Sequence, residues 1–158
     1  MSDTLLSRFR FLVQIDLSGQ GGDEGLAQGD GAFSEVTGLE LTIEPTTFRE
    51  GGYHLGPRQL IGKTTTTALV LKRGVSLNAA FWTWIQRCTN GTYPLPYVSG
   101  AIHVQPPDGD ASGDEAVWTF VNGIVTKVKS ADLNATTAQD VPIEELHIVH
   151  EGLSRGGP

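Results

Sequence analysis

One short acidic segment comes nearest to a metal-binding pattern. Five residues fit the first, third, fifth, sixth and seventh positions of a calcium loop, namely Asp108, Asp110, Ser112, Gly113 and Asp114. The twelfth position is Thr119, which cannot supply the bidentate carboxylate that completes such a site. The flanking residues are typical of strands and not of the helices that frame a calcium loop. We therefore predict a polar hairpin turn and no metal site.

The histidines and the cysteine do not form a catalytic or zinc-binding pattern. None of the four histidines is spaced from another as in a zinc-binding helix. Cys88 is the single cysteine, which excludes an internal disulfide and a cysteine-based zinc cluster. It lies on an apolar helical stripe, so an inert, buried thiol is expected. Gly62-Lys63-Thr64 lacks the upstream glycine of a phosphate-binding loop and enters a strand. No enzymatic activity and no cofactor are predicted.

Length and charge narrow the class of protein. The chain has 158 residues, which is typical of one domain, here residues 1–158. Its net charge is −7, the wrong sign for a surface that binds phosphate backbones. The apolar run near the amino terminus is short and interrupted by Gln14 and Asp16, unlike a signal peptide. No window approaches the ~20 apolar residues of a membrane span. We expect synthesis in a reducing cytoplasm and no membrane anchor.

Most of the chain shows the two-residue period of β-strands. Pro45 is expected to end the second strand, because proline cannot donate a ladder hydrogen bond, and Gly123 is expected to bend a long one. The predicted strands cover residues 9–17, 39–44, 64–72, 97–104, 116–128 and 143–149.

The period changes to that of a helix at only one place. Ser76 is a suitable amino-terminal cap, and Asn90-Gly91 provides a carboxy-terminal stop. The apolar stripe consists of Leu77, Phe81, Trp84, Ile85 and Cys88.

These elements predict a mainly β fold, a barrel or sandwich of six to seven strands with one α-helix. Three segments between or beyond the elements lack an apolar face. Residues 18–31, rich in glycine and acids, are predicted to be a flexible loop, and residues 50–62 a long loop or loose hairpin. Residues 152–158 are predicted to be a flexible tail that orders only on a partner. Long strands without closed edges favour assembly with other copies.

Several sequence blocks, in this order, resemble the tail tube proteins of contractile phage tails and of phage-tail-like contractile injection systems. The blocks cover most of the chain, and their combination is specific although each alone is weak. They are FRFLVQIDL at 9–17, AFSEVTGLELTIEPTTFREGG at 32–52, ALVLKRGV at 68–75, FWTWIQ at 81–86 and DVPIEELHIVHEGL at 140–153.

The resemblance implies a β-barrel-like subunit that closes into a six-membered ring. Rings stack into a tube around a channel for DNA or protein cargo, and a contracting sheath drives the tube through a target envelope. Implied partners are further copies of the chain, the sheath, the baseplate, cap proteins and cargo. The implied location is the bacterial or archaeal cytoplasm during assembly, and then the particle. An acidic channel wall would let acidic cargo slide without adhering.

The resemblance and the local chemistry together suggest contact residues. A glycine-rich, charged segment is expected to contact a neighbouring ring or subunit, with an exposed loop as the equal alternative. Lys72 and Arg73 are expected either to pair across an interface or to solvate a strand end. Trp82 and Gln86 are expected nearer the outer surface, towards the sheath. The expected ring contacts are Phe48, Arg49, Glu50, Gly51, Gly52 and Arg58.

Two alternatives remain open at this point. Residues 18–31 and 53–62 differ from the form expected of the main tube subunit, which leaves room for a paralogue that initiates the tube at the baseplate. A different class is a monomeric β-sandwich that binds carbohydrate, with Trp82, Trp118 and Tyr97 as stacking surfaces.

Overall fold

The computed structural model describes residues 10–18, 33–75, 79–91, 96–105, 116–132 and 142–156. In these residues the chain forms nine strands and one helix, which confirms the predicted mainly β class. The strands are β1 Arg10–Ser18, β2 Glu35–Thr37, β3 Leu41–Phe48, β4 Arg58–Thr66, β5 Leu69–Gly74, β6 Tyr97–Gln105, β7 Ala116–Lys129, β8 Ile143–Val149 and β9 Gly152–Gly156, and the helix α1 is Ala80–Thr89.

Two antiparallel sheets share the long strand β7. Sheet A consists of β1, β6, the first half of β7, and β9. Sheet B consists of the second half of β7, then β8, β5 and β2. Because β7 belongs to both sheets, it passes from one to the other at a corner, and the ribbon of β8 and β9 follows it around the same corner.

The corner depends on two adjacent residues of β7. Asn122 adopts a positive φ of 51°, and its side-chain amide donates to Glu151 Oε2 at 2.9 Å. A Cβ atom on Gly123 would lie 2.8 Å from a methyl group of Ile148 and 2.9 Å from one of Val98. The bend predicted at Gly123 is therefore present, although the left-handed residue is Asn122.

The core forms from the alternating apolar residues of both sheets, together with the apolar face of the helix. In β1, for example, Val13 and Ile15 are buried while Leu12, Gln14 and Asp16 are exposed. The helix ends as expected, since Gly91 has a φ of 75°; the predicted cap, Ser76, lies outside the described residues. The main buried apolar residues are Val13, Ile15, Leu69, Leu71, Phe81, Trp84, Ile85, Val98, Ile102, Phe120, Leu146 and Ile148.

Strands β3 and β4 form a separate two-stranded hairpin, which we call the arm (residues 41–66). The pairing of Thr37 with Val70 continues in the same register as that of Leu41 with Thr66, so the arm extends the β2–β5 ribbon. The ribbon is interrupted where Gly38, at a φ of 89°, crosses Ala68; a Cβ there would lie 2.1 Å from the Ala68 carbonyl oxygen. This crossing breaks the strand predicted over residues 64–72 in two.

Of the two alternatives predicted over residues 50–62, a long loop or a loose hairpin, the hairpin is present, since β4 begins at Arg58 and pairs with β3. Two other predictions need correction. Pro45 does not end its strand; it pairs with Ile61, and β3, which pairs only with β4, tolerates proline as an edge strand does. The flexible tail predicted over residues 152–158 is wrong for 152–156, which pair with β7 as β9.

Two predicted segments lie outside the described residues. They are the loop over 18–31, apart from Ser18 at the end of β1, and the polar hairpin turn at Asp108 to Asp114. Among the described helical residues, α1 is far too short to cross a bilayer, and no membrane-spanning helix is found there.

Candidate subunit interface

One face of the arm is apolar and exposed. Residues directly opposite each other in an antiparallel pair share a face, and Pro45 lies opposite Ile61, so the register places three large apolar side chains together. Each is more than half exposed, with values between 51% and 91%. We call this surface the apolar arm face; it consists of Leu41, Ile43 and Ile61.

A bulge in β4 determines that surface. Ile43 lies opposite Thr64 and Pro45 opposite Ile61, so β4 has one residue more than β3 between these two pairs. Along a regular strand Ile61 would lie on the opposite face from Thr64, because side chains alternate, and the extra residue returns it to the face of Ile43. Gly62 lies within the bulge, and a Cβ there would lie only 1.9 Å from the Glu44 carbonyl oxygen. Glycine is thus required for the close approach of the two backbones.

The arm tip gathers the charged residues that the sequence predicted as contacts. Arg58 forms an ion pair with Glu50, and its guanidinium carbon lies 4.7 Å from the centre of the Tyr53 ring. All residues from Phe48 to Gly52 are exposed, and Leu55 is 88% exposed. Since water screens an exposed ion pair, it contributes only ~0–1 kcal/mol, which is enough to order the loop but not to anchor the arm.

Sheet A has two open edges among the described residues. Strand β1 pairs only with β6, and β9 pairs only with β7. The nine residues of β1 and the five of β9 therefore each present a row of backbone donors and acceptors to the outside. These edges are surfaces that another chain can complete.

Arg73 does not lie at an interface in the subunit. Its side chain is 2% exposed, donates from Nε to Glu144 Oε2 at 2.8 Å, and lies over the Phe81 ring. The predicted alternatives for Arg73, an interface pair or a solvated strand end, are both wrong. Lys72 points to the other side of β5, where its Nζ lies 3.0 Å from Glu35 Oε1.

Trp82 is partly buried and bonded to the core. Its indole nitrogen donates to Glu144 Oε1 at 2.9 Å, and its ring packs edge-on against Phe81. That Trp82 lies towards a sheath stays a prediction. Gln86, one turn further along α1, is exposed as expected.

The three aromatic residues proposed for carbohydrate stacking do not share a surface. Trp118 lies opposite Ile102, which is buried, so Trp118 faces inwards, with Arg155 over its ring at 5.6 Å. Tyr97 is exposed on β6 at the start of the strand, and Trp82 lies on the helix. A flat platform for a sugar ring is not formed by these residues.

Cys88 and the predicted metal segment fall outside this interface. Burial raises the pKa of the Cys88 thiol to about 11, which makes the thiolate scarce near neutral pH. The described ranges contain no group of three or more histidine, cysteine or acidic side chains that could hold a metal ion. The segment Asp108 to Asp114 lies beyond those ranges.

Sequence reasoning missed the apolar arm face and the pairing of β9. The alternation of Leu41 and Ile43 was visible, but it was interpreted as a strand with a buried face. Only the pairing of β3 with β4, away from both sheets, shows that this face is uncovered.

Open sheet edges and an uncovered apolar arm are features of a β-rich subunit that assembles with other chains. The chain belongs to the family of the T4-like virus tail tube protein gp19, whose model matches residues 7–154. This match confirms the resemblance found in the sequence blocks. No curated protein sequence matches the chain.

Solved structures show the same fold. The chain is similar to one in the cryo-EM structure of the anti-feeding prophage (AFP) baseplate, at 23% identity and a TM-score of 0.77, over 99% of this chain and 98% of that one. A chain of the sheath-tube complex of PVC, an extracellular contractile injection system, has 19% identity and a TM-score of 0.73, over 99% and 94%. A chain of the tube-terminating cap structure of AFP has 17% identity and a TM-score of 0.73, over 100% and 95%.

Proposed function

We propose that this chain is the structural subunit of the inner tube of a phage tail or contractile injection system. One tail-tube domain, residues 1–158, forms rings of six that stack around a cargo channel. Contraction of a surrounding sheath drives the tube through a target envelope. The subunit acts by its shape and its contacts, without catalysis.

The open edges of sheet A carry this proposal. A sheet with an open edge on each side is completed when β1 of one subunit pairs with β9 of the next, and the repeat of one head-to-tail contact closes a ring. Each subunit then contributes four strands to a continuous wall. Such a wall has no unpaired edge and is stiff, as a tube driven through an envelope requires.

The arm supplies a second contact. A two-stranded hairpin is at best marginally stable alone in water, and the apolar arm face exposes three large side chains. Contact with a neighbouring subunit or ring would bury that face. The tip residues Phe48 to Gly52 and Arg58 would then lie at the border of the contact, where charged groups set orientation more than affinity.

The outward face of sheet A would line the channel. Beside the apolar residues Leu12, Val117 and Val121 it carries polar side chains and one described carboxylate, that of Asp16. A ring of six would place six such carboxylates around the wall, which fits an acidic channel that does not bind acidic cargo. A solved tube with a neutral or basic channel would contradict this placement. The polar residues of this face include Gln14, Asp16, Ser99, Thr119 and Ser154.

The partners follow from the assemblies that contain similar chains. Their structures are a baseplate, a sheath-tube complex and a tube-terminating cap. We infer that this tube contacts a sheath, a baseplate and a cap, and that it carries DNA or protein cargo. Gln86 is the exposed helix residue that we assign to the sheath side. Assembly takes place in the bacterial or archaeal cytoplasm, before incorporation into the particle.

A second candidate is the ring that initiates the tube at the baseplate. One of the similar chains comes from a baseplate structure, which is where such a ring would lie. Both candidates are structural and share the same ring contact. They differ in whether a ring of this chain stacks repeatedly on further rings of the same chain.

Negative-stain electron microscopy of the purified chain over a range of concentrations tests the proposal. Long uniform tubes support the main subunit, and isolated rings support the initiator. Particles that stay monomeric, including in the presence of preformed rings of a tail tube, contradict both. Saturable binding of a sugar by such monomers would instead support the carbohydrate-binding alternative.

A further inference from the structure

The outward face of sheet B carries a row of alternating charges. The row crosses all four strands, and each member lies directly opposite the next one in the adjacent strand. Lys72 Nζ lies 3.0 Å from Glu35 Oε1 within this row. From one edge of the sheet to the other, the row runs Glu35 of β2, Lys72 of β5, Glu145 of β8 and Lys129 of β7.

The two ends of the row have opposite charge. The β2 edge ends in Glu35, which is half exposed. The β7 edge ends in Lys129, and Lys127 adds a second exposed cation on the same strand. Asp132 lies 3.1 Å from Lys129 Nζ and offsets one of these two positive charges. Sheet B therefore has an acidic edge and a basic edge.

The topology relates these edges to the open edges of sheet A. Strands β8 and β9 flank β7 on one side, and β6 flanks it on the other. The open edges of β9 and β2 thus lie on one side of β7. The open edge of β1 lies on the other side, together with the uncovered edge of the second half of β7, which pairs only with β8 among the described strands.

We propose that Lys127 and Lys129 of one subunit contact Glu35 of the next subunit around the ring. The inference rests on the proposed ring, because a head-to-tail contact that brings β9 of one copy to β1 of the next also brings the acidic edge to the basic edge. The same charges oppose a two-fold dimer, in which two basic or two acidic edges would meet. They therefore select a ring over a closed pair.

Charge reversal in two separate chains tests this contact. One variant carries Glu35→Lys, so both edges of sheet B are basic. The other carries both Lys127→Glu and Lys129→Glu, so both edges of sheet B are acidic. Each variant alone is expected to form at least about fivefold fewer rings than the wild type at equal concentration. The reason is that every interface of the ring loses at least one exposed ion pair. An equimolar mixture is expected to regain rings, because six subunits can alternate strictly between the two variants.

Mixing separates a contact between subunits from an effect within one chain, which a second chain cannot repair. Gln86→Lys is the control, because it adds a positive charge at an exposed position on the helix, away from both edges. Thermal unfolding of each variant confirms that it is folded. If the wild type forms rings but the variants also assemble normally, this inference is wrong. It is also wrong if the wild type forms rings but the mixture does not recover them. Neither result would contradict the proposed function. Failure of the wild type to form rings would instead count against the proposed function.

Discussion

Arg73 Nε donates to Glu144 Oε2 at 2.8 Å in a pair that is almost completely buried, with 2% and 3% of the side chains exposed. The other carboxylate oxygen of Glu144 accepts from the Trp82 indole, and the guanidinium lies over the Phe81 ring. One ion pair thus joins β5, β8 and the helix. It fixes the helix on sheet B beneath the charged row described above.

Replacing Glu144 by Gln is expected to destabilise the subunit strongly. The substitution leaves the Arg73 charge buried without its counter-ion, and breaking a buried pair in this way costs about 3–5 kcal/mol. Chemical denaturation followed by tryptophan fluorescence measures the loss. The matched control is Glu35→Gln in the exposed pair with Lys72, where we expect a loss of about 1 kcal/mol or less. Equal losses in the two variants would contradict the special role of the buried pair.

Gly62→Ala is expected to disrupt the arm while leaving the two sheets intact. Its Cβ would collide with the Glu44 carbonyl oxygen at the bulge, so the bulge and the position of Ile61 would change. We expect loss of ring or tube formation with little change in the unfolding midpoint. Gly51→Ala is the control, because a Cβ there meets nothing within 4 Å. Electron microscopy and differential scanning calorimetry of both variants check this prediction.

Ile61→Asp is expected to prevent assembly without unfolding the subunit. Ile61 is 91% exposed on the apolar arm face, so a carboxylate there costs little in the monomer but is buried in a contact. Thr65→Asp places the same group opposite Thr42, on the other face of the arm, and should assemble normally. Sedimentation velocity distinguishes monomers from rings. If both variants assembled alike, the apolar arm face would not be a contact.

Alkylation of Cys88 is expected to be slow at neutral pH and to accelerate as the pH approaches about 11, the value to which burial raises its pKa. The native thiol holds its proton more tightly than the unfolded thiol, whose pKa is near 9.0. Stability from this group is therefore complete below pH 9 and declines as the pH rises from there. Iodoacetamide labelling of native and urea-unfolded chain at several pH values measures the difference. Equal rates for both forms at pH 8 would contradict it.

Strands and the helix were predictable from the sequence where the periodicity within a single segment is clear. The alternation in residues 143–149 matches β8, and the apolar stripe from Phe81 to Cys88 matches α1. These patterns succeed because a side chain's direction depends only on its own strand or helix period. The family was also recognisable, since its sequence blocks are themselves local.

Which faces are covered and which charges are buried depends on the pairing of the strands, and this pairing is seen only in the tertiary structure. Lys72 and Arg73 are adjacent cations, yet one joins the surface row and the other the buried pair, because successive side chains of β5 point to opposite faces. Leu41 and Ile43 alternate like core residues, but their strand pairs only with β4, away from the core. Strand pairing joins residues distant in sequence, so no local pattern reveals which faces remain uncovered.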